Sequence, residues 1–327
     1  MALISTDTEL AVKLLNDGEV IGIPTETVYG LAGNALNTDA VASIFEVKNR
    51  PTFDPLIIHT HSIEQFENYV EITDDRVYTL AEKFMPGPLT LLLPRKTIIP
   101  DLVTSGLDTV AIRIPQHPLT LKLLRQLDFP LAAPSANPFG YISPTSAQHV
   151  NHQLGEQINL ILDGGECQVG IESTIVGFDG SETIVYRKGG LSIEDIESAV
   201  GKVKVIEHSS SNPLAPGMLK SHYAPRKTLI LIDIGSEIAQ DANRIGYIGD
   251  ANRIGYIGFQ NYIPNIPKEN QLLLSPTGDF KEAAKNLFAY MRQLDNTDVD
   301  IIYTTLLPEK DLGRAINDRI RRATVKA

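Results

Sequence analysis

Residues 89–133 read LTLLLPRKTIIPDLVTSGLDTVAIRIPQHPLTLKLLRQLDFPLAA, and this stretch decides the fold class. Two strand-like runs, Leu89–Pro94 and Thr109–Ile114, succeed one another with no helical pattern between them. A helix pattern at Pro118–Leu127 and a short run at Leu131–Ala133 follow. A doubly wound sheet alternates strand with helix, so consecutive strands imply antiparallel neighbours and a mixed sheet. Downstream, Ile158–Leu162, Ser173–Phe178 and Thr183–Tyr186 repeat the pattern of strands in succession. Upstream, Val20–Ile23 and Pro55–His59 read as strands, and Glu9–Asn16, Asp39–Lys48 and Asp74–Phe84 as helices. Helices also fit Ser146–Leu154 and Ile193–Val200. Residues 1–206 are therefore expected to form an α/β domain on a mixed, twisted sheet.

Residues 207–227, EHSSSNPLAPGMLKSHYAPRK, break the pattern with three serines in a row, three prolines and a glycine. They read as a linker. After it, TLILIDI is a strand candidate, GDFKEAAKNLFAYMRQLDN an amphipathic helix, DIIYTTLL a strand and DLGRAINDRIRRAT a terminal helix. Residues 228–327 are thus expected to form a second, smaller, Rossmann-like α/β domain. Within it DANRIGYIG at 241–249 recurs unchanged at 250–258. Nine residues are too few for a solenoid unit, and one copy suffices for a helix end followed by a strand.

The chain has 327 residues, 43% hydrophobic and 21% charged, with a net charge of −11. Charge is uneven: residues 1–200 carry 12 Lys+Arg against 26 Asp+Glu, the remainder 17 against 14. The acidic first part opposes phosphate-backbone binding as a main role. An anionic ligand must enter a local basic pocket. A single cysteine, Cys167, excludes an intrachain disulfide framework and a multi-cysteine zinc site. No apolar run reaches the roughly 18–20 residues of a membrane span. The N-terminus lacks a basic segment before an apolar core, so a secretory leader is not expected. A cytoplasmic protein without membrane contact is the expectation.

The usual phosphate loop, dinucleotide fingerprint, serine elbow and HExxH zinc motif are all absent. Three other segments stand out. Pro24-Thr25-Glu26-Thr27-Val28-Tyr29-Gly30-Leu31 packs two hydroxyls and a carboxylate into one turn. Lys48-Asn49-Arg50-Pro51 closes a helix. Pro134-Ser135-Ala136-Asn137 follows a strand, with Ser143 and Thr145 beyond it. Each alone fits an ordinary turn or helix end. Together they form a basic, hydroxyl-rich set of the kind a polyphosphate needs where no phosphate loop exists.

PTETVYGL, KNRPTFDPLIIH, the TVAIRIP strand and APSANPFG resemble the threonylcarbamoyl-AMP synthase (YrdC-type) family, whose signature K-x-R and S-x-N pairs match Lys48/Arg50 and Ser135/Asn137. IESTIV, the Arg187-Lys188-Gly189-Gly190 turn, APGMLKSHYAP and GRAINDRIRRA resemble its two-domain version. The resemblance implies an ATP-dependent nucleotidyltransferase. L-Threonine is carboxylated by bicarbonate or carbon dioxide, the carbamate attacks the α-phosphate of ATP, and pyrophosphate leaves. The threonylcarbamoyl-AMP then serves tRNA-modifying machinery acting on adenosine beside the anticodon.

The resemblance also implies roles. Thr27, His59, Arg113 and Ser173 would hold threonine, with Ala133 contributing backbone only. Arg50, Asp54, Thr109, Ser135, Ser143, Arg187 and Tyr223 would hold ATP. Lys48, Arg50, Ser135 and Asn137 would form the catalytic anionic pocket. No protein metal site is expected, magnesium arriving on the ATP phosphates. Asp54 stands where the motif leads one to expect asparagine. The 207–227 linker is expected to fold over the pocket as a lid. The alternative reading is a double-stranded RNA-binding module, with weak RNA affinity retained in the basic cleft. A carbamoyl-phosphate-consuming subunit is a third, and it leaves the threonine set unexplained.

Overall fold

The structure, a computed structural model, describes residues 1–206, 213–219, 221–232, 251–264 and 266–325. It divides into two compact units: residues 1–139 with 143–220, and residues 140–142 with 221–327. The boundary thus falls inside the segment expected to be one linker.

The strands of the first unit are β1 (Leu3–Ser5), β2 (Ile21–Ile23), β3 (Gly30–Asn34), β4 (Ile57–His59), β5 (Leu89–Pro94), β6 (Thr109–Arg113), β7 (Leu131–Ala132), β8 (Leu160–Leu162), β9 (Thr174–Asp179), β10 (Glu182–Arg187) and β11 (Val203–Val205). Its helices are α1 (Thr8–Asn16), α2 (Thr38–Lys48), α3 (Phe66–Tyr69), α4 (Arg76–Phe84), α5 (Asp101–Thr104), α6 (Pro118–Leu124), α7 (Ala147–Leu154) and α8 (Ile193–Val200). The strands make one eleven-stranded sheet, ordered β1-β8-β2-β3-β7-β4-β6-β5-β9-β10-β11. Parallel and antiparallel pairs are mixed throughout. β5 and β6, the two consecutive runs of the 89–133 stretch, pair antiparallel, and β4 pairs parallel with β6.

Strand alternation assigns side chains to two faces. Ile58, Leu91, Leu93, Val110, Ile112 and Val176 face a large apolar core that also takes Val41, Ile44, Val77, Leu80 and Ile196 from α2, α4 and α8. The opposite face is covered over β2, β3, β7 and β8 by Ala11 and Leu15 of α1 and Leu123 and Leu124 of α6. Over β4, β5, β6 and β9 the apolar cluster on that face takes no residue from a helix among the described residues. There Ile57, Leu92, Ala111 and Ile175 meet Ala215 and Met218 of the linker.

The second unit has a four-stranded parallel sheet, ordered β12-β15-β13-β14, from β12 (Thr228–Leu231), β13 (Ile254–Gly258), β14 (Gln271–Leu273) and β15 (Ile301–Thr304). Among the described residues its long helices are α9 (Phe280–Asp295), which buries Ala283, Ala284, Leu287, Phe288 and Met291, and α10 (Gly313–Ala323), which buries Asn317, Asp318, Arg319 and Arg322 beside Ile316 and Ile320. The second DANRIGYIG copy supplies β13. The first lies outside the described residues.

Candidate active site

The face of the first unit on which no helix packs among the described residues, hereafter the helix-free face, collects most of the expected site residues. On β4 and β6, Ile57 pairs with Ala111 and His59 with Arg113, so all four share a face. Thr109 lies on the same face as Arg113, four residues earlier, about 13 Å away at strand rise. Thr90 pairs with Ile175, and Ile175 with Arg187. Ser173 is two residues before Ile175, and its hydroxyl lies 2.7 Å from that of Thr90.

Arg113 is buried at 4% exposure. Its Nη1 donates to Thr27 Oγ1 at 2.9 Å and its Nη2 to Glu26 Oε1 at 2.5 Å. Nε, also buried, has no hydrogen-bond partner among the described residues. Thr27 is itself fixed. Thr25 Oγ1 accepts from the Thr27 and Val28 amides and lies 2.8 Å from Thr27 Oγ1. Beside Arg113, burial first and then the guanidinium's charge push the His59 imidazole down to about 3, so it is neutral at physiological pH.

The K-x-R pair depends on how α2 ends. Asn49 takes a left-handed conformation at φ 51°. Its amide returns to Glu46 O at 3.0 Å and that of Arg50 to Phe45 O at 2.9 Å, the Schellman pattern. The reversal buries Lys48 and Arg50 together. Lys48 Nζ donates to Asn137 O at 2.6 Å and to Ser135 O at 2.5 Å. Lys48 thus grips the backbone of the S-x-N pair. Burial first, then Arg50, lowers its proton affinity well below that of an ordinary lysine. Arg50 donates to the carbonyls of Asp54 at 3.1 Å and Pro55 at 2.8 Å. Its Nη2 also approaches the Asp54 carboxylate at 2.9 Å. That approach is an ion pair rather than a directed hydrogen bond. Asp54 is fully buried, and neither carboxylate oxygen has a hydrogen-bond partner among the described residues.

Ser135 sits after β7, bridged to Gly30, and Ala133 holds the same edge through its amide to Ile57 O at 3.0 Å. Ser143 Oγ donates to Glu172 Oε1 at 2.6 Å. Arg187 Nε and Nη2 donate to Ser173 O and Oγ, both at 3.0 Å, and Nη1 to Pro216 O at 3.2 Å. Linker residues 215–218 are buried on this face, held by that contact and by Met218 packing. Gly189 fits the turn only because a Cβ would lie 2.3 Å from the Glu172 carbonyl oxygen and the Ser173 carbonyl carbon. Tyr223 belongs to the second unit. There its ring lies 5.3 Å from that of Phe288, with the Arg322 guanidinium carbon 4.7 Å from its centroid. Glu26, Thr90 and Glu172 carried no role in the sequence reading. Glu26 and Glu172 lie inside quoted motifs, but only the fold shows which side chains they meet. Among the described residues no group of three or more His, Cys, Asp or Glu could hold a metal ion. Burial raises the Cys167 thiol far above its ordinary range, which disfavours the thiolate a nucleophile needs.

The fold and this face define a mixed-sheet α/β protein with buried basic side chains and hydroxyls gathered on one side of the sheet. Residues 13–189 match a family model named Sua5_yciO_yrdC and described as telomere recombination. Residues 191–325 match one described as the threonylcarbamoyl-AMP synthase C-terminal domain. The threonylcarbamoyl-AMP synthase of Pyrococcus abyssi is 37% identical over 331 residues, covering 96% of this chain and 93% of its own. That of Bacillus subtilis is 38% identical, covering 96% and 91%. A crystal structure of P. abyssi Sua5 complexed with L-threonine superposes with a TM-score of 0.90 at 36% identity, covering 99% of this chain and 97% of the other. The chain belongs to the threonylcarbamoyl-AMP synthase family. No helix among the described residues is long and apolar enough to cross a membrane.

Proposed function

We propose that the first unit joins L-threonine, bicarbonate or carbon dioxide, and ATP into threonylcarbamoyl-AMP, releasing pyrophosphate. The observation that carries this is Arg113, a buried guanidinium with an unspent Nε donor, beside neutral His59 on the helix-free face. An amino-acid carboxylate fits that donor edge, because a guanidinium offers carboxylates paired N–H bonds. The neighbouring Thr27 and Ser173 hydroxyls suit the substrate's polar groups, and Ala133 offers backbone. About 13 Å along β6, Thr109 would mark the nucleotide end, where Arg50 donates to the Pro55 carbonyl two residues before β4; Ser135, Ser143 and Arg187 would also contact the nucleotide, Arg187 from beside Ser173. Lys48 would keep the Ser135–Asn137 turn in place, its cation also setting the local field.

In the reaction the threonine nitrogen adds to carbon dioxide and loses a proton, giving a carbamate. A carbamate oxygen then attacks the α-phosphorus, and the bond to the bridging oxygen of the β-phosphate breaks. Positioning and charge stabilisation dominate in such transfers, so no protein nucleophile is needed. Magnesium would arrive with ATP and neutralise phosphate charge. The acceptor-only carboxylate of Asp54 suits ribose hydroxyls or a hydrated cation better than it suits bare phosphate oxygens. The product would pass to separate tRNA-modifying machinery. The net charge of residues 1–200 argues against RNA binding as the main role.

Pyrophosphate release in the purified protein tests this. It should require threonine, bicarbonate and ATP together. Release that continues unchanged without threonine would exclude the reaction.

A further inference from the structure

We propose that Glu26 is a positioning residue that fixes the Arg113 guanidinium in the orientation that receives the substrate carboxylate. This rests on the reading of Arg113 given above and extends it to a residue without an assigned role. Glu26 is 5% exposed and anchored on three sides. Its Oε1 accepts from Arg113 Nη2 at 2.5 Å, its Oε2 from the Gln116 amide at 2.9 Å, and its backbone carbonyl from the Val169 amide at 2.7 Å. Gln116 is three residues beyond Arg113 on the same chain segment. The carboxylate therefore ties the end of the arginine side chain to the strand exit that carries it.

The guanidinium has five N–H bonds around a planar fork. Thr27 takes one from Nη1 and Glu26 one from Nη2. The buried Nε hydrogen has no partner among the described residues. With two corners held, the plane cannot rotate, and the Nε edge faces one direction. Glu26 also offsets a charge that would otherwise stand uncompensated in a buried place, where an unpaired ion is costly. A second carboxylate can still bind, because the fork has more than one edge.

Threonine and ATP binding to the full chain, measured by calorimetry in Glu26→Gln, Glu26→Asp and Arg113→Lys, tests the assignment. Glu26→Gln keeps the shape but loses the charge and one acceptor. It should weaken threonine on the order of tenfold, leave ATP affinity unchanged and keep the melting temperature close to that of the parent. Glu26→Asp, charged but one methylene short, should recover part of the loss. In an Arg113→Lys background Glu26→Gln should add little, the non-additivity expected of residues that act as a unit. If Glu26→Gln does not fold, the same cycle run with Glu26→Asp decides. Unchanged threonine affinity overturns the proposal, as does equal weakening of both ligands or full additivity with Arg113→Lys. If Arg113→Lys alone leaves threonine binding intact, the reading of Arg113 is what fails, and the role of Glu26 falls with it.

Discussion

Arg113 could be picked out of TVAIRIP only by resemblance, since a lone arginine ending a strand is more often a surface cation. Its burial on the helix-free face gives it weight. Arg113→Lys removes the planar fork but keeps a charge, and lysine replaces a bidentate contact poorly. Threonine binding should weaken by about 1.5–3 kcal/mol, read as a raised threonine KM with ATP KM unchanged. His59 makes a different prediction. Its folded-state value is about 3 against 6.5 when unfolded, so the unfolded chain binds the proton first as pH falls. Stability attributable to this group is intact above pH 6.5 and falls by about 1.4 kcal/mol per unit below it, levelling off near the folded value. Thermal midpoints from pH 8 to pH 4 should therefore fall more steeply in the parent than in His59→Gln. Parallel curves would show that His59 takes its proton as readily when folded. Gly189→Ala must push a methyl into the Glu172–Ser173 backbone. It should displace Ser173 and Arg187 and impair catalysis more than stability, measured as kcat/KM beside the urea midpoint.

Among the elements, the helices with strong apolar periodicity were legible to within a few residues. α1, α2 and α8 lie where Glu9–Asn16, Asp39–Lys48 and Ile193–Val200 were expected. The pattern at Pro118–Leu127 ends earlier, with α6 closing at Leu124. β3 was not legible. Its GLAGN has two glycines and no β-branched residue, and it is a strand only because β2 and β7 flank it. β1 and β11 are three residues each and gain their identity from β8 and β10. The K-x-R pair was legible as a motif, but its geometry comes from Asn49. Asn49→Ala should cost about 1 kcal/mol for a left-handed backbone and raise ATP KM by loosening the Arg50 turn. Asn49→Gly should do neither. The linker is expected to fold over the pocket with the second domain anchoring its far end. Its residues 213–219 group with the first unit and 221–227 with the second. Buried Pro216, Gly217 and Met218 rest on the face that carries Arg113 and Thr109. Amide exchange in 213–219 should slow when ATP and threonine are added together. Equal exchange with and without them would leave this segment a fixed strap.

In the whole molecule, the mixed sheet was legible because strands follow strands in the 89–133 stretch. The bareness of one half-face was not, since it depends on where α1 and α6 stop covering the sheet. In the second unit β12, β15, α9 and α10 were legible as runs, whereas the three-residue β14 was not. The tandem DANRIGYIG could not be placed from sequence, because identical copies give no reason to prefer either. β13 is formed by the second. Ile254 and Tyr256 join a core with Ile263, Ile266 and Tyr303, and Arg253 pairs with Asp300. Deleting residues 250–258 brings an identical Arg-Ile-Gly-Tyr-Ile-Gly into line. Pyrophosphate formation should be retained and the second unit should still fold, checked by activity and by circular dichroism. Loss of activity in a folded deletion would give the extra nine residues a role of their own.

The stretch that forms β13 (Ile254–Gly258) is preceded in sequence by an identical one at 245–249. A damaging change in one copy, such as Tyr256→Asp, is masked as long as the register can advance by nine residues. The same change made in both copies has no such refuge. Mutational scanning should find this inner strand far more forgiving than β15 beside it, though both are buried. That tolerance will last only until the copies diverge, after which the surviving strand regains the intolerance its position in the sheet demands.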